Sequence, residues 1–87
     1  MSTIRVATWN VNAIRARLRN FVQWVPKADY PDFICLQELR CPTEHFPINT
    51  ISSLGYNSYI FGQKRVNGVA ILSKQPVEFH ENISITE

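Results

Sequence analysis

The sequence predicts an α/β chain: a parallel β-α-β crossover followed by a β-hairpin. Two apolar runs carry the first half of that expectation. Ile4 to Asn10 and Asp32 to Glu38 are rich in β-branched, aromatic or other apolar residues, and each closes on a polar side chain. Between them, Ile14, Leu18, Phe21, Val22 and Val25 recur at helical spacing. A strand, a helix and a strand in that order make a right-handed crossover with the two strands parallel. The hairpin rests on Asn67-Gly68, a dipeptide that favours tight turns, set between two further extended runs.

Each element has its own local cause. Residues 3–10 form the first strand, through Thr3, Ile4, Val6, Thr8 and Trp9, with Arg5 making it less apolar than a fully central strand. Asn12 is placed to cap the helix expected over 13–27, because a short side-chain oxygen accepts from the first free amides. Pro26 ends that helix, since the residue before a proline avoids helical geometry. Residues 32–37 are nearly all apolar, as in a parallel strand covered on both faces. Pro42 and Pro47 bracket a loop. A short helix follows over 48–54, with Gly55 as its C-terminal cap. Residues 56–62 and 69–73 are the hairpin strands, joined by the polar turn 63–68. An extended piece over 77–79 and a final strand-like stretch over 83–87 have no evident partner, so the fold is read as part of a larger one.

Composition bounds the function without choosing it. With 45% hydrophobic and 18% charged residues in 87, the chain reads as one small globular domain at most. A chain of this length buries roughly 60–65% of its unfolded surface, which leaves a thin margin of stability. A net charge of +2 is too small to identify a partner unless the positive residues cluster. Cys35 and Cys41 fit neither a zinc nor a CxxC pattern, so free thiols in a reducing compartment are expected. The N-terminal stretch has no long apolar run, hence no signal peptide, no membrane partner and a cytoplasmic location are expected.

The chemistry is read from the strand ends. In parallel sheets, ligands gather beyond the carboxyl ends of the strands. Asn10 and Glu38 therefore share one edge, and a carboxylate beside an amide oxygen suits a magnesium-type cation that also holds a phosphate. Taken singly these residues have plainer readings. Glu38 is then a solvated strand end, Asn12 a helix cap, Arg15 and Arg19 a solvated helix flank, and Lys64 with Arg65 a solubilising loop tip. Trp9 and Trp24 read as core, and His45 and His80 as surface residues.

Four blocks then tie the residues together: Thr8-Trp9-Asn10-Val11-Asn12, Ile14-Arg15-Ala16, Asp32-Phe33-Ile34-Cys35-Leu36-Gln37-Glu38 and Asn67-Gly68-Val69-Ala70-Ile71-Leu72-Ser73-Lys74. In this order and spacing they resemble the exonuclease III class of AP endonucleases, within the endonuclease/exonuclease/phosphatase superfamily. The resemblance covers nearly the whole chain but only the amino-terminal third of a typical member. It implies that residues 1–87 are the N-terminal portion of a single domain, a four-layered α/β sandwich whose C-terminal half is missing. It further implies Mg²⁺, with Mn²⁺ as a substitute, and double-stranded DNA with abasic sites or 3′ ends as partner. By position, Glu38 matches the family's metal-binding glutamate and Asn10 the asparagine lining the same site. Asn12 falls near the metal, Arg15 matches a residue against the DNA backbone, and Lys64, Arg65 and Asn67 form a loop that meets DNA.

Departures limit the resemblance. Ala13 stands where many relatives have glycine or serine, and Val66 where many have tyrosine. No stretch matches the family's active-site tyrosine, its Asp-x-Asn pair or its late Asp-His pair, so these 87 residues by themselves are expected to be inactive. Two other functions fit the same residues. One is a non-catalytic remnant that binds DNA or a partner through its exposed sheet, and the other a superfamily phosphatase acting on lipid or sugar phosphates.

Overall fold

A computed structural model describes residues 3–61 and 68–78. Strand β1 (Val6–Asn10) leads to helix α1 (Leu18–Lys27), and β2 (Phe33–Gln37) follows. A single 3-10 turn (Thr43–His45) and helix α2 (Ile48–Ser53) precede β3 (Asn57–Phe61) and β4 (Val69–Ser73). The four strands make one sheet in the order β1-β2-β4-β3. β1 and β2 are parallel, Val6 opposite Phe33 and Asn10 opposite Gln37. β4 runs antiparallel to both β2 and β3, so the expected hairpin forms and its returning strand docks beside the crossover.

One sheet face carries the core. Ala7 and Trp9 of β1 register with Ile34 and Leu36 of β2, which register in turn with Leu72 and Ala70 of β4. Ile34, Leu36, Ala70 and Leu72 are fully buried. Helix α1 covers this face with Phe21 and Val25. Trp9 stacks on Phe21 with ring centroids 6.0 Å apart and tilts against Trp24 at 5.6 Å. The two tryptophans pack on the core as partly buried rings.

The opposite face stays open. Val6 and Val69 are 62% and 41% exposed, and Phe33, Cys35, Tyr59 and Ile71 are half-buried. β2 is thus fully covered on one side only, not on both. The described residues make two layers, a sheet and its helices, as expected of one part of the sandwich. Both cysteines are free thiols, Cys41 buried and Cys35 half-buried. No helix among the described residues is long and apolar enough to cross a membrane.

Several element ends differ from expectation. β1 starts at Val6, not residue 3, and β3 omits Tyr56, while residue 62 lies outside the described residues. Helix α1 begins at Leu18 rather than 13. Asn12 and Ala13 take left-handed conformations (φ 47° and 86°), which no helix can include. Ile14 is buried from a turn, not from the helix stripe. The cap of α1 is Arg17, which makes no side-chain capping bond, so Asn12 does not cap it. Pro26 lies inside the helix instead of ending it. It falls in the last turn, so little helix remains to be disrupted, and the amides of Ala28, Asp29 and Tyr30 close the end onto Trp24, Pro26 and Val25 carbonyls. Val77 belongs to no strand; its amide donates to the Tyr59 hydroxyl at 2.9 Å. Phe79 and the stretch 83–87 lie outside the described residues.

Gly55 caps α2 as expected. Its φ is 99°, its amide donates to Ser52 O, and the Tyr56 amide reaches back to Ile51 O. That bond pair is a Schellman closure, with Ile51 and Tyr56 both buried beside it.

Two stability predictions follow from this packing. Phe21→Ala should lose about 3–5 kcal/mol, close to the whole stability of a small domain at the lower end of its usual range; loss of the cooperative denaturant transition is the expected readout. Ala13→Gly should gain stability. A left-handed alanine costs about 1–2 kcal/mol, whereas glycine's extra unfolded-state entropy costs about 0.5–1 kcal/mol. The transition midpoint in urea should therefore rise.

Candidate functional site

Beyond the sheet, the β1 and β2 chains stay paired. The Val11 amide donates to Gln37 O, Ala13 to Glu38 O and Ile14 to Leu39 O, at 3.0, 2.9 and 3.0 Å. On the other side the Leu39 amide donates to Gly68 O at 3.2 Å. Val11, Ile14 and Leu39 anchor this arrangement by burying their side chains. Glu38 and Arg40 both adopt left-handed backbone (φ 55° and 54°) on either side of buried Leu39. The bend turns Leu39 into the core and leaves its charged neighbours reachable by solvent. Strained backbone of this kind concentrates at functional sites.

The expected meeting of Asn10 and Glu38 takes place. Asn10 Nδ2 donates to Glu38 Oε2 at 2.9 Å. Asn10 Oδ1 accepts the Asn12 amide at 3.2 Å. Only one orientation of the amide satisfies both bonds, so the nitrogen faces the carboxylate and the oxygen faces the backbone. Asn10 is therefore placed to orient Glu38 as a hydrogen-bond donor. Arg40 Nη2 lies 3.4 Å from Glu38 Oε1. The Asn10 bond, then the Arg40 contact, hold the Glu38 carboxyl below its ordinary value. Behind the pair, Gln37 Nε2 donates to Thr8 Oγ1 and to Cys35 O, tying the strand ends together.

The remaining candidates are less engaged. Asn12 is exposed and contributes its backbone amide. Arg15 is exposed, off the helix, and makes no hydrogen bond or ion pair among the described residues; its charge bears on the Cys41 thiol, which burial pushes up. Lys64, Arg65 and Asn67 lie outside the described residues, although the neighbouring Gly68 carbonyl supports the Glu38 bend. Arg40 was not singled out from sequence. Its only signal was a cation two positions after Glu38, in a segment whose bend no local pattern announced.

Metal binding can be weighed on donor chemistry. Among the described residues no group of three or more His, Cys, Asp or Glu side chains could hold an ion. Glu38 offers one ionised, partly exposed carboxylate. That fits a hard cation such as Mg²⁺, which keeps several waters and takes one or two carboxylates. Replacing Asn10 by Ala should move the Glu38 pKa up toward 4.5, followed by NMR of the carboxyl carbon. A lowered folded-state value stabilises the fold above the unfolded pKa and loses that contribution as pH falls through the folded one. Asn10→Ala should accordingly flatten the acid limb of the stability profile.

Residues 7–86 match the Endonuclease/Exonuclease/phosphatase family. The chain is 38% identical to the exodeoxyribonuclease III of Haemophilus influenzae over 83% of its own length and 27% of that protein's. It is 33% identical to the DNA repair nuclease APEX1 of Danio rerio, over 84% of this chain and 25% of that one. Among solved structures, an AP endonuclease from Archaeoglobus fulgidus aligns with TM-score 0.77 and 38% identity, covering 85% of this chain and 28% of that one. A 3′ phosphatase, NExo from Neisseria, bound to a product DNA hairpin, aligns at TM-score 0.73 and 38% identity, over 83% and 28%. The chain thus spans about a quarter of the length of the curated relatives it matches. Its mixed sheet, its paired strand ends and a match across nearly all its residues converge: the chain belongs to the endonuclease/exonuclease/phosphatase family.

Proposed function

We propose that this chain is the N-terminal portion of one endonuclease/exonuclease/phosphatase domain and supplies part of the active site of a Mg²⁺-dependent DNA repair nuclease. Its substrate is double-stranded DNA with abasic sites or 3′ ends. The observation that carries this is the Asn10–Glu38 pair at the carboxyl edge of parallel strands. The names of the relatives supply the substrate class: a DNA repair nuclease, an exodeoxyribonuclease, an AP endonuclease and a DNA-bound 3′ phosphatase.

The roles follow from chemistry. A divalent ion, when bound, neutralises charge on phosphate oxygens. Glu38 would hold it through its carboxylate, and Mn²⁺ would be able to replace Mg²⁺ there. Asn10 fixes the carboxylate rotamer through Nδ2. Arg15, Asn12, Lys64, Arg65 and Asn67 contact the DNA, and backbone contacts of this kind position it without reading sequence. Among the described residues none is placed as the water-activating base that phosphodiester cleavage needs, which supports the reading of this chain as part of an active site.

Two measurements test the proposal. Mn²⁺ added to the labelled chain should broaden the amide signals of Asn10, Glu38 and Arg40 first, and Glu38→Gln should abolish that pattern. Broadening that is uniform, or indifferent to Glu38→Gln, would remove the metal assignment. Incubated with an abasic-site duplex and Mg²⁺, the 87-residue chain should leave the strand intact; incision lost on Glu38→Ala would show that it carries the whole active site.

A further inference from the structure

Glu38 has two carboxylate oxygens in unequal company. Oε2 takes the Asn10 amide at 2.9 Å, an ordinary hydrogen bond. Oε1 faces Arg40 Nη2 at 3.4 Å, longer than a charge-assisted bond at its optimum. Both side chains of the ion pair are well solvated, at 45% and 37% exposed. Their juxtaposition is built into the backbone: left-handed residues at 38 and 40 flank buried Leu39, itself held by Gly68 O. Arg40 makes no other hydrogen bond or ion pair among the described residues. The contact is therefore fixed in place by the chain yet loose at its tip.

We infer that Arg40 is a displaceable counter-ion of Glu38, occupying Oε1 until a divalent cation takes that oxygen, so that it sets how tightly this site holds metal. The inference rests on the proposed role of Glu38 as metal ligand. A guanidinium opposes a dication twice, by holding the same lone pairs and by like-charge repulsion. Asn10 is neutral and holds the other oxygen, Oε2, so it neither repels an ion at Oε1 nor competes for that oxygen, and it keeps its bond when metal arrives. Exposed ion pairs are weak, which limits the effect to a small factor.

The test is a Mg²⁺ titration of the 87-residue chain, followed by amide and arginine Nε–H signals at low ionic strength. Arg40→Ala should bind Mg²⁺ about two- to fivefold more tightly than the parent chain, and Arg40→Lys should restore most of the parent affinity. The gap between parent and Arg40→Ala should shrink as salt is raised, because the opposing charge is exposed. In the parent chain the Arg40 Nε–H signal should shift with the same midpoint as the Glu38 amide. Unchanged or weaker Mg²⁺ binding in Arg40→Ala, while Glu38→Gln abolishes it, would overturn the counter-ion role and leave Glu38 as ligand. Mg²⁺ binding that survives Glu38→Gln would instead overturn the metal assignment itself. A structural effect of Arg40 alone would move the thermal midpoint without the salt dependence or the lysine rescue.

Discussion

The site depends on a backbone ladder that continues past the sheet. Parallel pairing of β1 and β2 brings Asn10 opposite Gln37, and three further amide-to-carbonyl bonds carry the register into the loops. Without that continuation, Glu38 would lie one residue beyond a strand end with no fixed relation to Asn10. With it, a side-chain bond forms between residues 28 apart in sequence. The apolar anchors Val11, Ile14 and Leu39 hold the ladder down, so the polar pair depends on buried hydrocarbon directly beneath it.

This arrangement separates rigidity from exposure. The carboxylate needs to meet solvent and ions, whereas its backbone must not move. Placing Glu38 in a left-handed bend, with Leu39 sunk into the core, meets both demands within adjacent residues. The conformational cost falls on the same residues that carry the charge. Asn10 completes the arrangement by donating from one atom and accepting with the other, so its orientation leaves no freedom to the amide.

Much of this was legible in the residues. The apolar runs ending at Asn10 and Glu38, the helical recurrence of Phe21 and Val25, the Gly55 cap and the two extended runs that pair as β3 and β4 are all local signals. The family's blocks fixed their joint meaning. What escaped was set by tertiary geometry. Asn12 looked like a helix cap because composition cannot show that Asn12 and Ala13 turn left-handed to keep pace with Glu38 across the loop. Pro26 looked like a stop because its tolerance depends on how many turns remain after it. Arg40 stayed unnoticed because only the bend at Leu39 aims it back at Glu38. The open sheet face escaped as well: the apolar run 32–37 reads as covered on both faces, whereas Phe33 and Cys35 are only half-buried.

The Leu39–Gly68 bond also has a bearing on how the molecule is made. On the ribosome, the β1 side of the Glu38 bend emerges first and can zip to β2 as soon as that strand clears the tunnel. The β4 side arrives only after α2 and β3 have been synthesised. Until then the acidic residue sits on a half-laced loop, and a nascent chain stalled before Gly68 would present the carboxylate without its final posture.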